Sequence, residues 1–199
     1  MSDIGQNNGR RRFLTTVTTG VGLTGVAVAL VPFVSSMMPS ARARAAGAPV
    51  EVDISKIEPG QMLTVEWRGK PVWIVNRTET MLDNLKTIES KLSDPESDES
   101  DQPAYAHNEF RSIRPEFLVL VGVCTHLGCS PTKKFEIGAA SDMGDDWVGG
   151  FFCPCHGSIF DLAGRVFRNV PAPTNLQVPP YSFISDNRIM IGVDPEEVS

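Results

Sequence analysis

The sequence predicts an all-β protein: an antiparallel β-sandwich with an inserted subdomain and one short surface helix, preceded by a single N-terminal transmembrane helix. Three observations point there. Short alternating or β-branched runs, broken by many of the 17 Gly and 15 Pro, fill residues 50–199. An uncharged run occupies residues 13–38. Two six-residue boxes, CTHLGC at 124–129 and CPCHGS at 153–158, hold all four cysteines and two of the three histidines.

Taken in order, residues 1–12 form an N-terminal tail ending in Arg10, Arg11 and Arg12. Phe13 to Met38 follow as 26 residues without a charge. As a helix they would span about 39 Å, against a hydrocarbon core of about 30 Å. The one-sided arginines favour an inside N-terminus. They also resemble the twin-arginine signal that exports folded proteins across the bacterial inner membrane. Ala43-Arg44-Ala45 and Ala46-Gly47-Ala48 have the form of cleavage sites. The apolar run is nevertheless far longer than a usual signal core of roughly 7–15 residues, so a retained anchor is expected. Residues 39–49, PSARARAAGAP, lack bulky apolar side chains and read as a linker.

The domain expected over 50–199 opens with Val50 to Ile54, where apolar and acidic residues alternate. Met62 to Trp67 and Pro71 to Val75 flank turn chemistry at Arg68-Gly69-Lys70 and predict a hairpin. Helical spacing of Met81, Leu82, Leu85, Ile88 and Leu92 predicts one surface helix over 79–92, followed by an exposed acidic loop over 93–102. Phe117 to Val123 is a buried strand running into the first box, and Phe151-Phe152 runs into the second. Prolines 171, 173, 179 and 180 mark a loop, and a last hairpin over 182–193 turns at Asp186-Asn187. Trp67, Trp73 and Trp147 are expected in core or rim packing, and His107 on the surface.

Residues 1–49 carry five Arg and one Asp, whereas residues 50–199 carry 13 basic and 23 acidic side chains. That balance argues against a nucleic-acid partner. The boxes are the chemical signal. Cys124-x-His126 and Cys153-x-x-His156 each offer a thiolate and an imidazole, and Cys129 and Cys155 add one cysteine to each box. Six soft groups exceed the four a structural zinc would use. A mixed pair from each loop suits a binuclear iron cluster with sulfur on one iron and nitrogen on the other. Cys129 and Cys155 would then be left over, able to bridge the loops in an exported domain.

The two boxes closely resemble those of the Rieske iron-sulfur subunits of proteobacterial ubiquinol-cytochrome c reductase, the cytochrome bc complex. The resemblance extends to the arginines, the apolar run, the linker and Pro171-Ala172-Pro173 as the family's proline loop. It implies one Rieske-type 2Fe-2S cluster in a cluster-binding part of about residues 121–175. Cys124 and Cys153 would hold the inner iron, and His126 and His156 the outer iron through Nδ1, with Nε2 at the surface. Cys129 and Cys155 would form a disulfide. Leu127 would cover the cluster, and Ser158 would donate a hydrogen bond to a cluster sulfur.

The function implied is transfer of one electron and a coupled proton from ubiquinol, in the quinol-oxidation site of cytochrome b, with His156 as the imidazole that meets the quinol. The electron would pass to cytochrome c1 and the step would contribute to proton translocation. The chain would act only inside a dimeric complex, as a single-pass protein of the bacterial inner membrane with a cytoplasmic N-terminus and a periplasmic domain. One position departs from a common form of the family pattern: Phe160 stands where many members carry Tyr, so one hydrogen bond to a ligand sulfur is lost. A soluble Rieske ferredoxin would lack counterparts of Cys129 and Cys155, and an arsenite oxidase subunit would not need the long apolar run and linker. A zinc-stabilised binding module is the non-redox alternative.

Overall fold

The computed structural model describes residues 6–41 and 47–195. The cleavage motif at 43–45 and linker residues 42–46 lie outside the described residues, and the motif at 46–48 begins outside them. A long helix and a globular unit are described separately.

Helix α1 (Gln6–Ser36) includes the three arginines, which were expected in a tail, and it stops before Met37 and Met38. The arginines are good helix formers and continue the run of α1, whereas Met37 and Met38 close a turn onto the carbonyls of Val34 and Ser35. The helix is long and apolar enough to cross a membrane. Its hydroxyls suit that solvent: Thr15, Thr16 and Thr24 donate to the carbonyls of Arg11, Arg12 and Gly20, four residues back. These three hydroxyls are thus satisfied within the helix itself, as hydrocarbon favours.

Among the described residues of the globular unit, nine strands form three antiparallel three-stranded sheets. The first pairs β1 (Val50–Asp53) with β9 (Arg188–Ile191) and β9 with β8 (Tyr181–Ser185). The second places β3 (Lys70–Asn76) between β2 (Met62–Trp67) and β4 (Phe117–Val121). These two sheets share one apolar core, in which Val72, Ile74, Val75, Leu118, Leu120, Tyr181, Ile189 and Ile191 are fully enclosed. The third sheet, β5 (Thr132–Lys134), β6 (Gly150–Phe152) and β7 (Ile159–Phe160), is the inserted subdomain. Both predicted hairpins form, with Arg68-Gly69 and Asp186-Asn187 at their turns. Trp67, Trp73 and Trp147 are buried, and Trp73 stacks on Phe151 at 4.9 Å between ring centres.

The expected helix over 79–92 is shorter. Helix α2 (Glu79–Thr87) starts at Thr78, whose hydroxyl accepts the Met81 N–H, and ends at Ile88. A 3-10 turn over Glu89–Lys91 follows, and Leu92 is extended. Leu92 cannot stay helical because it bridges Phe167, while the Ser93 and Arg168 N–H groups donate to the carbonyls of Val166 and Lys91. Tertiary pairing with the inserted subdomain overrides the local periodicity. The acidic loop is likewise more tightly tied than an exposed loop: Ser97 is buried, and the Asp94 carboxylate accepts from the Asp98 and Glu99 N–H groups and the Ser100 hydroxyl. His107 lies on the surface, as expected, 3.3 Å from Asp98.

Between sandwich and subdomain sits a buried charge cluster that sequence periodicity does not reveal. Arg77, Arg111 and Arg165 are each at most 2% exposed, around a fully buried Asp161. Arg77 donates to the carbonyls of Pro115, Phe110 and Leu162, and Arg111 to that of Ala163. Arg165 pairs with Asp161 at 2.7 Å. Burial pushes Arg77 and Arg111 down to about 10, and the Asp161 carboxylate opposes that shift.

Candidate metal centre

Two strands deliver the two boxes. β4 continues through Gly122 and Val123 to Cys124, and β6 runs directly into Cys153. Gly122 is required by close approach, because a Cβ there would lie 2.2 Å from the Trp73 ring. Each box then folds into the same turn. Cys124 N–H donates to Cys129 O at 2.7 Å and Gly128 N–H to Cys124 O at 3.0 Å. Cys153 N–H donates to Ser158 O at 2.8 Å and Gly157 N–H to Cys153 O at 2.9 Å. The fifth residue of both turns is left-handed, with φ of 82° at Gly128 and 74° at Gly157, which explains a glycine at that place in each box.

Equal backbones carry different side chains. The third position is His126 in one loop and Cys155 in the other, and His156 comes one residue later. Cys129 and Cys155 form a disulfide that ties the loop tips together across 26 residues of sequence. Cys124 and Cys153 are free thiols, each 2% exposed. The rings of His126 and His156 meet edge to face, 4.8 Å between centres, with His126 half-buried and His156 exposed. Leu127, next to His126 in the chain, is 71% exposed.

This donor set fits a mixed-ligand cluster. The sulfurs of Cys129, Cys153 and Cys155 lie within 4.8 Å of one another, but two of them are bonded together and are not available as thiolates. The remaining soft donors are the buried thiols of Cys124 and Cys153 and the imidazoles of His126 and His156. Burial pushes the Cys124 thiol up, and so does the neighbouring Cys153, while the His126 N–H and the Ser158 hydroxyl hold it down. Two adjacent buried thiolates need a compensating positive charge, and a bound metal centre supplies it. Ser158 is fully buried, and its Oγ accepts the Ala172 N–H at 3.0 Å, which leaves its proton free to point at sulfur.

A family model described as the Rieske [2Fe-2S] domain matches residues 49–181. An iron-sulfur subunit of ubiquinol-cytochrome c reductase from Allochromatium vinosum is 60% identical over 194 residues, covering 98% of this chain and 93% of that one. The chain belongs to the Rieske iron-sulfur subunits of ubiquinol-cytochrome c reductase. The equivalent Rieske subunit from Bradyrhizobium diazoefficiens is 46% identical, covering 92% of this chain and 94% of its own. Residues 1–40 match a second model, described as the ubiquitinol-cytochrome C reductase Fe-S subunit TAT signal. With helix α1, this fits a membrane-anchored bacterial subunit. Among solved structures, a chain of a hyperthermophilic respiratory Complex III is 27% identical, covers 88% of this chain and 98% of its own, and superposes with a TM-score of 0.47.

The Rieske site also uses residues that the sequence reading passed over. Thr125 Oγ1 donates to Thr174 O at 2.7 Å, tying the first box to the proline loop, and Ala172 ties that loop to the second. Thr125 stands between Cys124 and His126, so its position inside the box was the available signal. Phe160 is fully enclosed and pairs with Phe151 across β6 and β7. Phe160→Tyr is expected to raise the midpoint potential by adding a hydroxyl donor near a ligand sulfur, and Ser158→Ala to lower it by removing one. Redox titration of the two purified variants checks both directions.

Proposed function

We propose that this chain carries electrons from ubiquinol to cytochrome c1 within a dimeric cytochrome bc complex, with Cys124, Cys153, His126 and His156 as cluster ligands. The observation that carries the reading is the placement of two buried free thiols and two imidazoles on twin loops locked by the Cys129–Cys155 bond. When bound, a Rieske 2Fe-2S cluster supplies a one-electron carrier whose potential is raised because neutral imidazoles replace two thiolates.

The chain's own residues do the rest. His156 is the exposed imidazole, so its Nε2 is the atom that meets the quinol hydroxyl in the cytochrome b pocket and takes its proton. Leu127 adds an exposed apolar surface that excludes water around the same contact. The disulfide and the proline loop hold the ligands in place while the face docks and leaves. Residues 13–38 anchor the chain in the inner membrane with residues 1–12 on the cytoplasmic side, and the domain over 50–199 works in the periplasm. Residues 39–49 let that domain visit cytochrome b and cytochrome c1 in turn.

Complementation tests the reading. Cells lacking this chain should lose quinol–cytochrome c reductase activity, and the wild-type chain but not Cys124→Ser should restore it; full activity with Cys124→Ser would refute the ligand assignment. Consecutive prolines over 43–48 should slow turnover while leaving spectrum and potential intact, because they restrict the backbone without touching a ligand. Lengthening the linker should be tolerated better, since each doubling of a flexible segment costs only about 0.6 kcal/mol. Steady-state turnover at normal subunit content measures both effects.

A further inference from the structure

Asn175 follows the proline loop and is 1% exposed. Its side-chain oxygen and nitrogen bond two other segments. Oδ1 accepts the Val166 N–H at 2.8 Å, just beyond β7. Nδ2 donates to Asp94 O at 2.9 Å and to Ser97 Oγ at 2.8 Å, both in the acidic loop. Its backbone N–H donates to Ser100 Oγ at 3.1 Å, and that hydroxyl donates in turn to the Asp94 carboxylate at 2.7 Å.

The same short stretch reaches the metal centre from its other side. Thr174 O receives the Thr125 hydroxyl of the first box, and Ala172 N–H is given to Ser158 of the second. A continuous set of direct contacts therefore runs from the acidic loop through Asn175 and the proline loop to both boxes. Of the loop's acidic side chains Asp94 takes part: its carboxylate accepts the Ser100 hydroxyl and lies 3.5 Å from Asn175 Nδ2.

We propose that Asn175 is a positioning residue for the metal centre, and that the loop over 93–102 serves as a brace which fixes the proline loop through it. The brace holds Ala172 against Ser158 Oγ, and so keeps the Ser158 proton directed at sulfur and not at the backbone. This rests on the reading that the two boxes hold a 2Fe-2S cluster.

The test uses the full-length chain in detergent with its cluster bound, and reads iron per chain, thermal midpoint and redox midpoint. Asn175→Ala should shift the redox midpoint downward, in the direction of Ser158→Ala, and the shift should largely vanish when made in the Ser158→Ala background. Ser100→Ala removes the acceptor of the Asn175 N–H and a donor to the Asp94 carboxylate, leaves the Asn175 side chain in place, and should give a smaller shift of the same sign. It serves in place of Asn175→Ala should that variant fail to fold. Ile189→Val, in the enclosed core of the first sheet, should lower the thermal midpoint with no redox shift. A wild-type midpoint in both Asn175→Ala and Ser100→Ala, or shifts that add in full to that of Ser158→Ala, would overturn the proposal. Wild-type chain without iron would instead sink the cluster reading itself, so the two failures are distinct.

Discussion

Cys124→Ser or Cys153→Ser is expected to abolish the cluster, whereas Cys129→Ser or Cys155→Ser should leave a fraction of it, less stable and lower in potential. The difference follows from placement. Cys124 and Cys153 are enclosed free thiols, and no other free cysteine exists to replace either one. Serine offers a hydroxyl that ionises far less readily than a thiol and binds iron poorly. Cys129 and Cys155 act only on the backbone. Their bond closes a 26-residue separation, for which a loss of about 3 kcal/mol is expected on opening. The turn hydrogen bonds at Gly128 and Gly157 remain in those variants and keep the loops near their places. Iron and sulfide analysis of the four purified variants reads the contrast directly; complete loss in all four would remove the distinction.

Asp161→Ala is expected to cost about 3–5 kcal/mol, since it leaves a buried ion pair half-made. Asp161 Oδ1 accepts the N–H groups of Ala163 and Arg165 at 2.8 and 2.7 Å, and Oδ2 accepts Arg165 Nε at 2.7 Å. Without it, the enclosed Arg165 guanidinium loses its ion-pair partner close to Arg77 and Arg111, and two buried N–H groups lose their acceptor. The carboxylate now raises Arg77 and Arg111 against the downward pull of burial, so its removal makes each charge more expensive to keep inside. Because Arg77 and Arg111 hold the carbonyls of Leu162 and Ala163, the loss falls on the join between sandwich and subdomain. Thermal unfolding of the intact chain, followed by far-ultraviolet circular dichroism and by cluster bleaching, should show both midpoints falling together. Unchanged midpoints would show that the guanidiniums are held by their carbonyls alone.

The two hairpins and the strands entering the boxes were legible because burial on a pleated surface imposes a period of two and Arg68-Gly69 and Asp186-Asn187 are turn chemistry, whereas the three- and two-residue strands β5 and β7 are too short to show a period. The boxes were legible for a different reason: soft ligands are scarce, and their spacing on tight loops has few uses. Leu92 shows where local reading fails. Its spacing belongs to helix α2, yet its partner is Phe167, which only the folded chain brings near. Asp161 and its three arginines were hidden because a charged residue in sequence reads as surface, and nothing local says that its partners lie elsewhere. Asn175 was hidden in the same way: an Asn after a proline loop reads as turn chemistry, but its four partners lie at Asp94, Ser97, Ser100 and Val166.

The central claim is that two thiolates and two imidazoles of this chain hold one 2Fe-2S cluster. Electron paramagnetic resonance of the dithionite-reduced chain, purified from cells fed 15N-histidine, tests it most directly. The account predicts the signal of a reduced 2Fe-2S centre with hyperfine coupling to two histidine nitrogens, lost in Cys124→Ser and Cys153→Ser. A silent protein containing zinc, or an iron signal with no coupling to 15N, would contradict it.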